Sequence, residues 1–364
     1  MPLPPLVEPV AALSAAEAGR TARHLVLADL GELGQRRLRA AHVAVVGAGG
    51  LGSPVVLALA AAGVGTLTVI DDDVVELSNL QRQVLHRLAD VDAPKVDSAV
   101  RVAADLAPET TVVPVRERLA ADNAELLLSG ADLVIDGSDS FETRTLVAAA
   151  CERLGVPLVW GVVQEFAAQV TVFWSAPPAG VAPVVLSDLY PPDRVGELPS
   201  CATVGVLGAL CLQVGSVLAM EAIKLIAGIG EPLFGRVLLI DALRGRMSEV
   251  PLRGRVHASG VVTSAPAPAA VPHVAVDAFD DELAAGAIVL DVRESDEVAA
   301  GVIPGSRHAP LAEVLGRPEA FAADGRVVVV CQRGLRAVRA AAALRSAGAD
   351  AVVLTGGMDA WSVR

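Results

Sequence analysis

The sequence predicts an α/β protein of two domains joined by a linker, on three observations. Residues 42–73, HVAVVGAGGLGSPVVLALAAAGVGTLTVIDDD, run apolar strand, glycine turn, helix and strand, the order of a parallel βαβ unit. Residues 256–272, VHASGVVTSAPAPAAVP, shift abruptly to small residues and proline, the composition of a linker. Beyond it, short apolar runs such as IVLDVR and VVVVC alternate with helical stretches to residue 364, which indicates a second, smaller α/β domain with a parallel sheet. The expected division is a first domain over 20–252, a linker over 253–272 and a second domain over 273–364.

Taken in order, residues 1–19 carry Pro and Glu without a basic start; they read as a mobile tail and not as a signal peptide. Residues 20–39 read as helical. After the βαβ segment come a strand over 111–118, a helix over 119–129, and ADLVIDGSDS as a strand ending in a polar turn. A helix over 141–154 follows, then PLVWGVV and AAQVTVFW as strands. Residues 176–200 are rich in Pro and Gly and read as a long loop. Residues 203–228 read as one apolar helix, and FGRVLLIDALRGRMSEVPL as an antiparallel pair of strands. In the second domain, helices are expected near 295–300, after GVIPGSRHAPL and after VVVVCQRG.

The chain has 364 residues, is 53% hydrophobic and carries a formal charge of -13. That balance argues against a general binder of nucleic acid or anionic membrane. The most apolar stretch, 203–220, reaches membrane-spanning length only marginally. Its glycines Gly205, Gly208 and Gly215 suit close packing, so a buried helix in a cytoplasmic protein is expected. The four cysteines include no CxxC pair, which argues against the usual zinc clip and a disulfide scaffold. Cys151 and Cys211 read as small core residues; Cys201 and Cys331 lie at junctions beside Gly, Ser or Pro.

Chemistry concentrates at two places. Gly47-Ala-Gly-Gly-Leu-Gly52 follows a strand and opens a helix, where glycines permit a tight turn and backbone N–H groups favour an anion. Gly49 and Gly50 lie within it, and Asp71 at the end of the next strand suits a ribose hydroxyl. Glycines and acid alone are compatible with a dinucleotide enzyme or an ATP enzyme. Downstream lie Asn79, Arg82, Gln83 and Lys95; the cations Arg82 and Lys95 are wanted where phosphates are attacked or released. Asp136 and Asp139 occupy a strand-end turn, where a carboxylate can hold Mg²⁺. The second place is Cys331. It ends an apolar strand, and a short loop with Gly334 and Arg336 then starts a helix, so N–H groups and a positive helix end face the sulfur.

The first region resembles the MoeB/ThiF family of adenylyltransferases, which share their Rossmann-like fold with the ubiquitin-activating enzymes. The resemblance covers residues 20–250 and rests on TARHLVLADLGELGQ, VVGAGGLGSP, AAGVGTLTVIDDDVVELSNLQRQ, APKVDSA, VIDGSDSFETR and PSCATVGVLG. It implies ATP-dependent activation of the C-terminal Gly-Gly carboxylate of a small ubiquitin-like sulfur carrier. Gly49 and its neighbours are then the phosphate cradle and Asp71 the ribose ligand. Asn79, Arg82 and Lys95 become phosphate and transition-state contacts, and Asp139 the magnesium ligand. Arg23 resembles the arginine that the family reaches across a homodimer, and Cys201 aligns with a cysteine that in some relatives attacks the adenylate or joins a persulfide relay and in others is dispensable. Many members bind zinc through two CxxC pairs; here those regions read PAGVAPVVLSDLYPP and VPLRGRVHASG, so no structural zinc is expected.

The second region, 273–364, is similar to the rhodanese family through IVLDVRES, GVIPGSRHAPL, VVVVCQRGLRA and LTGGMDAW. That implies a small α/β sulfurtransferase domain in which Cys331 carries a persulfide inside its loop and Arg336 closes it. Val302 and Ala337 stand where the family usually has His and Ser. Asp291 and Arg293 are expected to pair near the loop. The combined expectation is an adenylyltransferase and sulfurtransferase using ATP and Mg²⁺, with a cysteine desulfurase or thiosulfate as sulfur donor. The alternatives are an adenylyltransferase whose rhodanese domain only docks partners, a nicotinamide dehydrogenase fused to a rhodanese, and a ligase for a ubiquitin-like modifier.

Overall fold

The computed structural model describes residues 3–191, 205–254, 271–299, 301–321, 325–332 and 334–362. The chain divides into two compact units, Met1–Val256 and His257–Arg364.

In chain order the first unit contains α1 (Ala15–Arg20), α2 (Ala22–Leu25), α3 (Gly31–Ala40), β1 (His42–Val46), α4 (Gly52–Ala62), β2 (Thr66–Ile70), α5 (Lys95–Leu106) and β3 (Thr111–Val115). There follow α6 (Ala124–Leu128), β4 (Leu133–Asp136), α7 (Phe141–Leu154), β5 (Leu158–Gln164), β6 (Ala167–Phe173), α8 (Leu186–Leu189), α9 (Gly208–Ala227), β7 (Arg236–Asp241) and β8 (Arg246–Pro251). Its eight strands form one sheet in the order β3-β2-β1-β4-β5-β6-β7-β8. Pairings from β3 to β5 are parallel and those from β5 to β8 antiparallel. The central strands are near-continuous Val and Ile runs buried along their length, as a sheet covered on both faces requires. Helix α4 is likewise buried almost all round and ends at Gly63 with φ +81°, a left-handed cap open to glycine without penalty. The strand order reverses between β1 and β4, and a crevice opens beyond their carboxyl ends at such a switch point.

Helix α9 is the apolar segment expected over 203–228. It begins only at Gly208, because Gly205 takes φ +80° and accepts a hydrogen bond from Glu165 N in an extended pairing. It packs on α3, α4 and β5 with Leu210, Val214, Leu218 and Leu225 almost fully buried. Truncating one of these leucines to alanine costs about 2–5 kcal/mol. It is long and apolar enough to cross a membrane, and more than half of it is buried within the protein.

Several expectations change. The N-terminal segment is no mobile tail from residue 3 onward: Leu3 is buried, Leu6 N donates to Leu225 O, and Val10 N donates to Arg36 O. Helix α1 carries a full capping box between Ser14 and Glu17, and Glu17 pairs with Arg39. The helix expected over 119–129 shortens to α6, because Asn123 Oδ1 accepts from Ala120 N and holds that stretch as a turn. Helix α5, which begins at Lys95, is amphipathic and starts after Pro94; the sequence reading assigned Lys95 but no helix there. The loop over 176–200 contains α8, and Val184 within it makes an antiparallel bridge to Trp174; residues 192–204, Cys201 among them, lie outside the described residues, as do residues 255–270 of the expected linker.

The second unit comprises β9 (His273–Val274), α10 (Phe279–Ala284), β10 (Ile288–Asp291), α11 (Ser295–Ala299), β11 (Arg307–His308), α12 (Leu311–Gly316), β12 (Arg326–Val330), α13 (Leu335–Ser346), β13 (Asp350–Leu354) and α14 (Gly357–Trp361). Its parallel sheet runs β11-β10-β12-β13-β9. The central strand β12 is buried from Val327 to Val330 and delivers Cys331 at its carboxyl end.

Candidate active sites

At the switch point of the first sheet, three glycines let backbone pack on backbone. A Cβ on Gly52 would lie 1.8 Å from Gly47 O, one on Gly47 3.1 Å from the Gly137 carbonyl, and one on Gly137 2.9 Å from Gly52 N. The turn from β1 into α4 is thereby pressed against the end of β4, and Ser53 N, in the first turn of α4, donates back to Gly49 O at 2.9 Å. Above this cradle lies a cleft of about 290 Å³. Gly47, Gly49, Gly50, Asp71, Arg82, Gln83, Lys95 and Asp139 of the expected set line it. Gly52 lies beneath it as the packing glycine just described.

Asp71 accepts from Ala48 N at 2.7 Å and from Asp73 N at 2.9 Å. Burial is the largest influence on its carboxyl and raises its pKa, against the pull of Lys95. The Lys95 ammonium is nearly buried and pairs with the exposed Asp73 carboxylate at 2.7 Å. This cation is thus held at the cleft by a partner that solvent can readily accommodate if Lys95 turns to a phosphate. Asn79 does not line the cleft. It accepts from Glu76 N through its side chain and from Arg82 N and Gln83 N through its carbonyl, building the turn that carries Arg82 and Gln83 inward. Arg23 sits exposed on α2, away from the lining.

The structure adds residues that sequence reasoning missed. Glu117 and Arg118 reach the cleft from the segment after β3, Arg144 from α7, and Cys211 from the first turn of α9. A Cβ on Gly50 would lie 3.2 Å from Cys211 Sγ, so this cysteine serves both core and cleft wall. Only DGSDSFETR signalled Arg144, through its place one helical turn after the Asp139 loop. Buried Asp136 takes both hydrogen bonds of Ser138 on Oδ1, and burial pushes its carboxyl up against the opposing charge of Arg144.

A nucleoside triphosphate with magnesium fits this donor set. Gln83 Oε1 is a buried polar atom of the lining without a hydrogen-bond partner among the described residues, an arrangement that is costly unless a ligand completes it. The cations Arg82, Lys95 and Arg118 suit phosphates, and Asp139 offers the hard oxygen that Mg²⁺ prefers. The carboxylates of Asp71, Asp72 and Asp73 also approach within 4.8 Å of one another, with Asp73 engaged by Lys95.

In the second unit, Cys331 is fully buried. Its Sγ accepts from Gly334 N at 3.1 Å and Ala337 N at 3.4 Å. Gly334 caps α13 with φ +108°, so the sulfur rests on that helix's N-terminus. The outer side of the loop is braced by α14: Met358 N donates to Cys331 O and Asp359 N to Gln332 O. A Cβ on Gly357 would lie 2.2 Å from Cys331 O, so only glycine permits this closeness. Arg336 makes a two-point pair with Glu297 of α11 at 2.6 and 2.7 Å, which holds the Glu297 carboxyl below the usual carboxylate range. It braces the loop against α11. Arg293 pairs with Asp291 in the interior and also donates to Gln332 Oε1.

The comparisons follow this division. The ThiF family matches residues 21–261 and the Rhodanese-like domain residues 275–364. The probable adenylyltransferase/sulfurtransferase MoeZ of Mycobacterium tuberculosis is 43% identical over 384 residues, covering 99% of this chain and 96% of its own. The sulfur carrier protein adenylyltransferase of Thermus thermophilus is 44% identical over 238 residues, covering 65% of this chain and 88% of its own. Among solved structures, E. coli MccB with MccA-N7isoASN shares the fold at a TM-score of 0.56 and 21% identity, covering 68% of this chain and 74% of that one.

Proposed function

The chain belongs to the ThiF family, with a rhodanese-like domain behind it, and on that premise we propose that it activates and thiolates the C-terminus of a small carrier protein. In the first step a carboxylate oxygen of the carrier's terminal glycine attacks the α-phosphorus of ATP, and pyrophosphate leaves. The product is a mixed anhydride whose AMP is a far better leaving group than oxide. The glycine cradle binds the phosphates, and Arg82, Arg118 and Lys95 offset the charge that builds as pyrophosphate departs. Asp139 would hold magnesium, which when bound neutralises phosphate charge. Two anions are thereby held face to face in one cleft, which is the main entropic and electrostatic obstacle to the reaction.

In the second step Cys331 carries the sulfur. Its thiolate takes sulfane sulfur from a donor such as thiosulfate, releasing sulfite, or from a cysteine desulfurase persulfide. The terminal sulfur attacks the acyl carbon of the adenylate and expels AMP, leaving an acyl disulfide. A second thiol then attacks Cys331 Sγ, forms a disulfide with it and frees the carrier thiocarboxylate; Cys201 is the sequence's candidate for that thiol. The observation that carries this step is the sulfur cradle, two N–H groups at a helix N-terminus aimed at Cys331 Sγ, an environment that stabilises a sulfur anion.

The exposed position of Arg23, off its own chain's cleft, supports service to a partner copy in a homodimer. The packing of α9 in the core supports a soluble cytoplasmic enzyme. Molybdopterin, thiamine or cysteine synthesis would consume such a thiocarboxylate. Carrier-dependent ATP–pyrophosphate exchange tests the first step, with the carrier found as the Gly-Gly-ended small protein retained by the intact chain with ATP. Exchange that proceeds equally without any carrier would overturn the assignment.

A further inference from the structure

We propose that Arg144 is a positioning residue for adenylation, holding the turn that presents Asp139 to the metal of the bound nucleotide. The inference rests on the reading of the cleft as an ATP site. Asp139 lies in a turn between β4 and α7, and Ser138 precedes it. Both backbone polar groups of Ser138 are claimed from the interior. Its N–H donates to Asp136 Oδ1 at 2.9 Å, and its carbonyl accepts from Arg144 Nη2 at 3.0 Å. The following residue, Ser140, caps α7 by accepting from Thr143 N at 3.1 Å. The turn is therefore fixed immediately before and after Asp139, and Arg144 supplies the grip on the carbonyl side.

Arg144 is only 4% exposed yet lines the cleft, and its Nε has no hydrogen-bond partner among the described residues. A guanidinium fixed this way carries charge behind a carboxylate that must meet a cation. Its work is then geometric: it sets where the Asp139 oxygens sit without touching the substrate. Groups that orient a metal-binding carboxylate typically change metal affinity by about 10–100-fold when removed.

The test measures ATP binding by equilibrium titration without carrier, in chelator and along a Mg²⁺ series, so that no turnover is involved. For Arg144→Met the Mg²⁺ concentration giving half of the metal-dependent gain in ATP affinity should rise by about 10–100-fold. The loss of ATP affinity should be larger with Mg²⁺ than in chelator. Arg144→Lys, which keeps one donor and the charge, should show a smaller shift in the same direction. An unchanged Mg²⁺ requirement in Arg144→Met overturns the proposal. So does an equal loss of affinity with and without metal, the mark of a merely structural arginine. If Arg144→Met does not fold, Arg144→Lys decides alone, and no shift there overturns the proposal. A wild-type chain whose ATP affinity ignores Mg²⁺ removes the reading of the cleft and this inference with it; a Mg²⁺-dependent wild type with an indifferent Arg144→Met removes only the inference.

Discussion

Two alanine substitutions in one glycine turn should separate the cleft's architecture from its occupancy. In Gly52→Ala the new methyl lies 1.8 Å from Gly47 O and 2.8 Å from its carbon. The Gly47 carbonyl must retreat by about 1.5 Å to reach an ordinary van der Waals separation. It has little room, because Gly47 N is bonded to Ile70 O and the peptide abuts Gly137. Overpacking of this kind costs about 1–3 kcal/mol, and a unit of this size loses about 2–4 °C of Tm per kcal/mol. The displaced peptide also pulls N–H groups away from the phosphates; each charge-assisted bond lost is worth about 1.5–3 kcal/mol, or about 10–150-fold in Kd. In Gly49→Ala the methyl meets only Gln83 Nε2 at 3.6 Å, an ordinary contact. Its Tm should match that of the wild type, while ATP binding falls because the methyl enters the cleft. Thermal melts and ATP titration of both variants decide the matter. Wild-type ATP affinity in Gly49→Ala, or wild-type stability and affinity in Gly52→Ala, would refute the cradle.

Further outcomes follow from the same geometry. Lys95→Met should lower the adenylation rate by about 100-fold or more, since a cation that offsets developing charge is lost, with little change in Tm because its partner Asp73 is exposed; pyrophosphate exchange measures it. His86 Nε2 donates to Ala48 O of the phosphate turn, and burial lowers its pKa below the ordinary imidazole value. The folded state thus binds fewer protons, so the stability His86 contributes is full above its unfolded pKa and is lost as pH falls through the window down to the lowered folded value. His86→Gln should flatten the acid side of the Tm–pH curve of the first unit; a curve parallel to wild type contradicts this. Asp291→Ala strands the buried Arg293 guanidinium and should cost about 3–5 kcal/mol in the second unit, seen as loss of its melting transition while ATP binding persists.

The parts of both sites that the sequence revealed are local in the chain. The glycine turn from Gly47 to Gly52 and the strand-end Cys331 are each followed directly by the helix that gives them meaning, so periodicity and composition expose them. Glu117, Arg118 and Arg144 enter the cleft only because the sheet orders its strands 3-2-1-4, and nothing near them in sequence states that order. The N-terminal segment misled for the same reason. Its Pro-rich composition reads as tail, whereas Leu3 and Leu6 are held by α9 and its neighbourhood, more than two hundred residues later in the chain. Asn79 was legible as a polar residue of the site, but its part in the turn beneath Arg82 and Gln83 depends on backbone hydrogen bonds that no spacing rule gives.

The central claim is that one chain both activates the carrier and supplies its sulfur through Cys331. The most direct test incubates wild type and Cys331→Ser with carrier, ATP, Mg²⁺ and thiosulfate or a cysteine desulfurase, with sulfide excluded, and weighs the carrier by mass spectrometry. Wild type should convert the carrier to the species in which one terminal oxygen is exchanged for sulfur. Cys331→Ser should retain carrier-dependent pyrophosphate exchange and yield no thiocarboxylate. Thiocarboxylate formed by Cys331→Ser at the wild-type rate would contradict the account and leave the second unit as a docking module.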